Sequence, residues 1–386
     1  MAMSIVTAMV RNPVSKPLSA LALPLMLVLA SCTSPRSAEP DIDPDVARAG
    51  ILRALPEKTQ NRTGWSVDIF AALESMKIAP TAANACAVIA VAEQESGLRA
   101  DPTVPGLPAI ARREIDSRAE RHGIPRMLVS AALEIGSPNG KTYRQRLDSV
   151  ATERQLSEIF TDFIRMVPLG ERLFGDLNPV HTGGPMQVSI AFAEGYAKSH
   201  RYPYPMTGAV RDEVFTRRGG IYFGTAHLLD YPAAYDDMLY RFADFNAGHY
   251  ASRNAAFQNA VSIVSGVKLA LDGDLLLHGN AANQASKTEL AVRKIAMQLD
   301  LSESQIRSDL ERGDDESFVK TRAYQRVFEL ARKARPRGGV PDAMVPKIKL
   351  ESPKITRQLT TEWFARRVKE RYEKCLARAG VSQASS

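Results

Sequence analysis

Residues 86–92 read Cys-Ala-Val-Ile-Ala-Val-Ala and offer no polar face at any helical or strand period. A helix that is apolar all round has to be enclosed by its neighbours. Trp65, Ile69, Leu73 and Met76, in steps of four, four and three, mark a preceding helix with one apolar stripe. Further helical patterns run at about 43–54, 107–121, 126–135, 144–167, 188–199, 211–230, 235–246 and 250–264, then 286–312, 315–334 and 357–379. Only 345–350 resembles a strand, and no internal repeat is present. The chain has 386 residues, 45% of them hydrophobic, which is enough to wrap a central helix. The expected class is all-α.

The N-terminus reads as a targeting segment. Arg11 and Lys16 precede the apolar run 18–30, which is too short to span a bilayer as a mature helix but suits the core of an export signal. It ends in Leu29-Ala30-Ser31-Cys32, which looks like a bacterial lipobox with Cys32 as the lipidated residue. Thr33 follows rather than Asp, and the expected place is the outer membrane of a Gram-negative cell, facing the periplasm. The implied organisation is a signal over 1–31, a lipid-anchored polar linker over 32–63, a main domain over 64–270, and a C-terminal helical region over 271–386. The two remaining cysteines, Cys86 and Cys375, can form one bridge in an oxidising compartment. Closing so long a loop would stabilise the fold on the order of 4 kcal/mol.

Three short pieces carry candidate chemistry. Glu93-Gln94-Glu95-Ser96-Gly97 ends the buried helix, where desolvation and the helix C-terminus both favour a protonated carboxyl, as a general acid requires. Gly183-Gly184-Pro185-Met186-Gln187 gives close backbone approach followed by a polar side chain. Phe245-Asn246-Ala247-Gly248 reads as a helix stop. In this order the three resemble the signature of the lytic transglycosylases and goose-type lysozymes. Gly220-Ile221, Gly224, Leu228-Leu229 and Tyr231 extend the resemblance.

That resemblance implies a lysozyme-like fold with an inserted helical subdomain at about 99–180, because Glu95 and Gln187 stand 92 residues apart. It implies cleavage of peptidoglycan glycan strands, with Glu95 as the acid and 1,6-anhydromuramyl ends as the product. Ser96, Met186, Gln187 and Asn246 would line the sugar site. Phe245 stands where the family has a tyrosine, and Tyr222 and Tyr250 are the hydroxyls that can replace it. Glu134, which ends another apolar segment but lacks the following serine, is the rival acid. Asp101 is the first candidate for a second carboxylate if the product is hydrolytic. The reading from another class is a non-catalytic lipoprotein that binds peptidoglycan.

Other chemistries find less support. The six histidines are scattered without metal-ligand spacing, so neither metal nor organic cofactor is expected. Gly219–Gly224 follows no strand and is no dinucleotide loop. The net charge of +7 is spread without a basic block, which leaves nucleic acid an unexpected partner. Tyr196, Tyr202 and Tyr204 are aromatic candidates for stacking on sugars, though such spacing is more often packing.

Overall fold

The computed structural model describes residues 42–166, 168–169, 172, 175–206, 208–350 and 358–381. The signal, Cys32 and Thr33 lie outside these residues. Seventeen helices and two short antiparallel strand pairs are found among the described residues, so the class is all-α. No helix among them is long and apolar enough to cross a membrane.

The apolar run forms the middle of α3 (Ala82–Ser96), and every residue from Ala87 to Ala92 has no exposed surface. Thr81 caps its start by accepting from Asn84 N, and Gly97, at φ +62°, ends it in the left-handed region that glycine enters without cost. Four helices pack around α3: α1 (Pro44–Ala54), α2 (Arg62–Ser75), α10 (Arg217–Leu229) and α17 (Thr361–Arg378). The linker expected to reach residue 63 is therefore shorter. Ile51, Ala54 and Leu55 are buried in the core, and Asp43 caps the helix that carries them.

The inserted segment contributes α4 (Leu107–Arg121), α5 (Arg126–Leu133), α6 (Tyr143–Asp148) and α7 (Glu153–Arg165). The helix expected over 144–167 is two helices. Thr142 with Gln145, and Thr152 with Gln155, each form a reciprocal capping box that starts a new helix. Leu107, Tyr143 and Leu147 join this segment to the first core.

A hairpin of β1 (Thr182–Gly183) and β2 (Val188–Ser189) follows, with Thr182 opposite Ser189. Helices α8 (Ile190–Ala197) and α9 (Val210–Val214) lead into α10. After α11 (Met238–Ala247), α12 (Ala251–Ser265) opens a second core with α13 (Lys287–Lys294), α14 (Ala296–Leu299), α15 (Glu303–Leu310) and α16 (Arg322–Ala334). The two cores do not divide at residue 270. Phe257 and Val261 of α12 already belong to the second, and α17 returns to the first through Phe364, Ala365, Val368 and Leu376. A disulfide joins Cys86 to Cys375, tying α17 to the central helix.

Candidate functional site

Most of the residues the motifs singled out face inward. Met186 is fully buried and lies against the backbone of Gly224, where any side chain would collide with it. A Cβ on Gly184 would likewise strike Val214 O, so these glycines let the hairpin turn lie flush against α9 and α10. Gln187 holds a left-handed backbone, φ +50°, and its amide donates to Gly184 O at 3.3 Å, closing the turn it belongs to. Tyr222 is 2% exposed and donates to Arg201 O. Ser96 donates to Ala92 O and accepts from Arg99 N, so its hydroxyl is engaged in the helix end. Asn246 accepts from Thr361 Oγ1 at 2.9 Å and thereby fastens the start of α17. Each of these five has a contact within the fold, where the motifs suggested a sugar site.

The carboxylates separate as well. Glu95 is half-buried in the last turn of α3. Glu93 faces α17, 3.7 Å from Arg378 and 4.0 Å from Arg371. The rival Glu134 is exposed and paired with Arg144, a setting that does not desolvate it. Asp101 is half-buried near the start of α7, and burial pushes its carboxyl up while a hydrogen bond with Thr152 pulls it down. Tyr202 and Tyr204 donate to Glu213 and Asp68, and Tyr196 to Asp230, so all three hydroxyls serve packing. Among the described residues no group of three or more His, Cys, Asp or Glu is placed to hold a metal ion.

A cavity of about 930 Å³ opens elsewhere, between the loop at 232–236 with the start of α11 and residues of the second region at 316–324 and 341–343. Tyr235, Tyr240, Tyr250 and Tyr324 line it, with Asp236, Glu316 and the Arg332-paired Asp342 as carboxylates at its wall. Tyr250 is the one residue here that the motifs had named; Glu95 is not among the lining residues. Two arginines frame the cavity and are engaged by backbone. Arg241 reaches Leu228 O, Tyr231 O and Ala233 O. Arg253, 5% exposed, donates to Gly313 O and Asp315 O while its guanidinium lies 4.2 Å from the Tyr250 ring centre. What remains for a ligand is aromatic surface and carboxylate oxygen. Burial pushes the Tyr324 phenol up to about 12, so it stays a donor at neutral pH. One signal in the sequence pointed here: four of the eleven tyrosines fall within residues 231–250.

Asp244 holds the turn beneath this cavity. Fully buried, it accepts from Tyr235 Oη at 2.7 Å, Tyr231 Oη at 3.2 Å, Tyr250 N at 3.1 Å and Ser252 N at 2.7 Å. Burial raises its carboxyl, and these donors oppose the rise.

Beside the turn, His227 and His249 stack at 4.6 Å, with Tyr231 on His249 at 4.1 Å. His227 Nε2 meets Phe245 O at 3.2 Å, and His249 Nε2 meets His227 O at 2.7 Å. Burial, and then His249, push His227 down to about 4; burial also lowers His249. Between pH 6.5 and 4 the unfolded chain therefore binds protons that the folded chain refuses. The stability this neutral pair provides is present above pH 6.5 and lost as pH falls, by about 3 kcal/mol from His227 alone. Asp244, whose carboxyl is raised, acts in the opposite sense as it protonates. Urea unfolding at pH 7 and pH 4.5 should show the loss, and His227→Phe, which keeps the stack, should flatten it. An equal loss in the variant would assign the acid limb to other groups.

A family described as "Protein of unknown function (DUF1615)" matches residues 58–378. The chain is 56% identical over 365 residues to "Uncharacterized protein YaiW" of Escherichia coli (strain K12), covering 93% of this chain and 98% of that protein. No solved structure matches the chain. These findings correct the resemblance to lytic transglycosylases and goose-type lysozymes: neither the family nor the relative points to that superfamily. The buried Met186 and Tyr222, and the hydrogen bonds that hold Gln187 to Gly184 O and Asn246 to Thr361, give the physical side of the correction.

Proposed function

The chain belongs to the DUF1615 family, and from its side chains we propose that it is a lipid-anchored, periplasm-facing protein that binds peptidoglycan glycan strands without cleaving them. The observation that carries this reading is the composition of the 930 Å³ cavity. Aromatic faces stack on the apolar faces of sugar rings, and carboxylate oxygens accept from hydroxyl and acetamido groups. Both are present at the cavity wall, while the two arginines that would attract an anion are committed to backbone carbonyls. The lipobox at Cys32 supplies the location, since three acyl chains make stable anchoring where one would not.

Cleavage by the acid the motifs named would need Glu95 in the same cavity as the sugar, and Glu95 does not line it. The test is retention of the purified protein on peptidoglycan sacculi, with the fragments analysed afterwards. Tyr240→Ala should weaken retention about tenfold with unchanged thermal unfolding, and Glu95→Gln should leave retention as it is. New 1,6-anhydromuramyl or reducing ends that vanish in Glu95→Gln would replace binding by cleavage. Retention that ignores Tyr240 would move the site away from this cavity.

A further inference from the structure

Helix α5 carries apolar residues on two opposite faces. Val129 and Leu133 face the core. Met127, 80% exposed, and Leu128, 59% exposed, face away from it. Ile124 before the helix and Ile135 after it are also exposed, as is Ala131. At 100° per residue Met127, Leu128 and Ala131 project within an arc of about 100°, and Ile124 and Ile135 extend this exposed apolar surface at either end of the helix. The concentration is regional. Seven of the fourteen large apolar side chains left exposed among the described residues fall between 124 and 177.

An exposed apolar surface beside basic side chains has the two parts that an interfacial membrane contact uses, apolar area to bury and positive charge toward anionic headgroups. Residues 107–148 carry eight Lys and Arg against five Asp and Glu. Arg126 at the helix start is 75% exposed, 3.9 Å from the equally exposed Glu120, and Lys141 stands exposed in the turn before α6. The tether adds a second observation. Since α1 starts at Pro44 and buries Ala47 and Ile51, twelve steps separate Cys32 from the first helix of the globule. That length reaches about 42 Å at most, which keeps the globule at the bilayer at a high effective concentration. Weak insertion then suffices. The geometry points to the 124–135 stripe as a surface that docks on a bilayer bearing anionic headgroups, an inference that rests on the anchor at Cys32.

The full-length lipoprotein is reconstituted into vesicles of phosphatidylethanolamine and phosphatidylglycerol. An environment-sensitive fluorophore is placed through Met127→Cys or, as a control on the second core, Met297→Cys, which is 95% exposed. Vesicle flotation reports the anchor separately. The expected result is a blue shift and at least twofold quenching by a bilayer-embedded quencher at 127 and neither at 297. Leu128→Asp in the labelled 127 protein should abolish the shift without releasing the protein from the vesicles. Flotation with both labels in water would overturn the docking surface and leave the anchor standing. Protein that fails to float would overturn both. A label at 127 that is buried yet unquenched, with 127–127 crosslinks, would assign the stripe to a second copy of the chain and overturn the bilayer.

Discussion

Asp244→Ala should cost about 4 kcal/mol of stability and, at temperatures where the chain still folds, abolish sacculus binding. The carboxylate is fully buried and accepts two phenol hydroxyls and two backbone N–H groups. Alanine removes every acceptor at once, and each buried donor left unmade costs about 1–3 kcal/mol before any relaxation or water entry. The damage is directional. Tyr250 N and Ser252 N begin α12, so the turn would lose its anchor where Tyr250 enters the cavity wall. Asp244→Asn separates charge from geometry. Its oxygen can still accept from Ser252 N, but its NH₂ then faces the Tyr250 N–H, so an intermediate loss is expected. Denaturant unfolding of both variants, paired with sacculus retention, checks the order Ala worse than Asn worse than wild type. An unchanged midpoint for Asp244→Ala would mean that water replaces the carboxylate.

How much of this was legible in the sequence depends on how local each signal is. The enclosure of residues 86–92 was legible because a helix with no polar face has one physical solution. The extent of α4 followed equally from its own periodicity. The break at 149–152 was missed because two capping boxes outvote a continuous apolar period, and the period was read first. The spacer was drawn too long because Ile51 and Leu55 look isolated until a partner helix is known.

The site was legible in one residue, Tyr250. Its walls come from 232–253, 316–324 and 341–343, which only the fold brings together. Residue type also says nothing about direction. Met186 and Tyr222 sit within the motifs that suggested a sugar site, yet the first fills space over Gly224 and the second closes on Arg201 O. The order of short motifs resembled that of a cleaving enzyme, while side chains within them make contacts inside the fold.

Replacing Cys375 by serine should cost about 4 kcal/mol, seen as a lower denaturant midpoint only against oxidised wild-type protein. The bond links residues 289 apart, so in the unfolded chain it closes a loop covering most of the globule. The entropy removed from that loop grows with the logarithm of its length, which is why so long a loop stands at the upper end of the usual range. Both half-cystines are fully buried, so serine also leaves a hydroxyl in an apolar seam between α3 and α17. Cys375→Ala avoids that hydroxyl, and the difference between the two variants measures it. Reduced wild-type protein should match the alanine variant. The helix would not leave for want of the bond alone, because Lys369 pairs with Asp237, Thr361 with Asn246, and Arg378 with Ala54 O. The expected phenotype is therefore a folded protein with a lowered midpoint and an intact cavity. If reduction instead abolished sacculus retention while the midpoint held, the bond would be positioning α17 and the turn it fastens through Asn246, rather than restraining the unfolded chain.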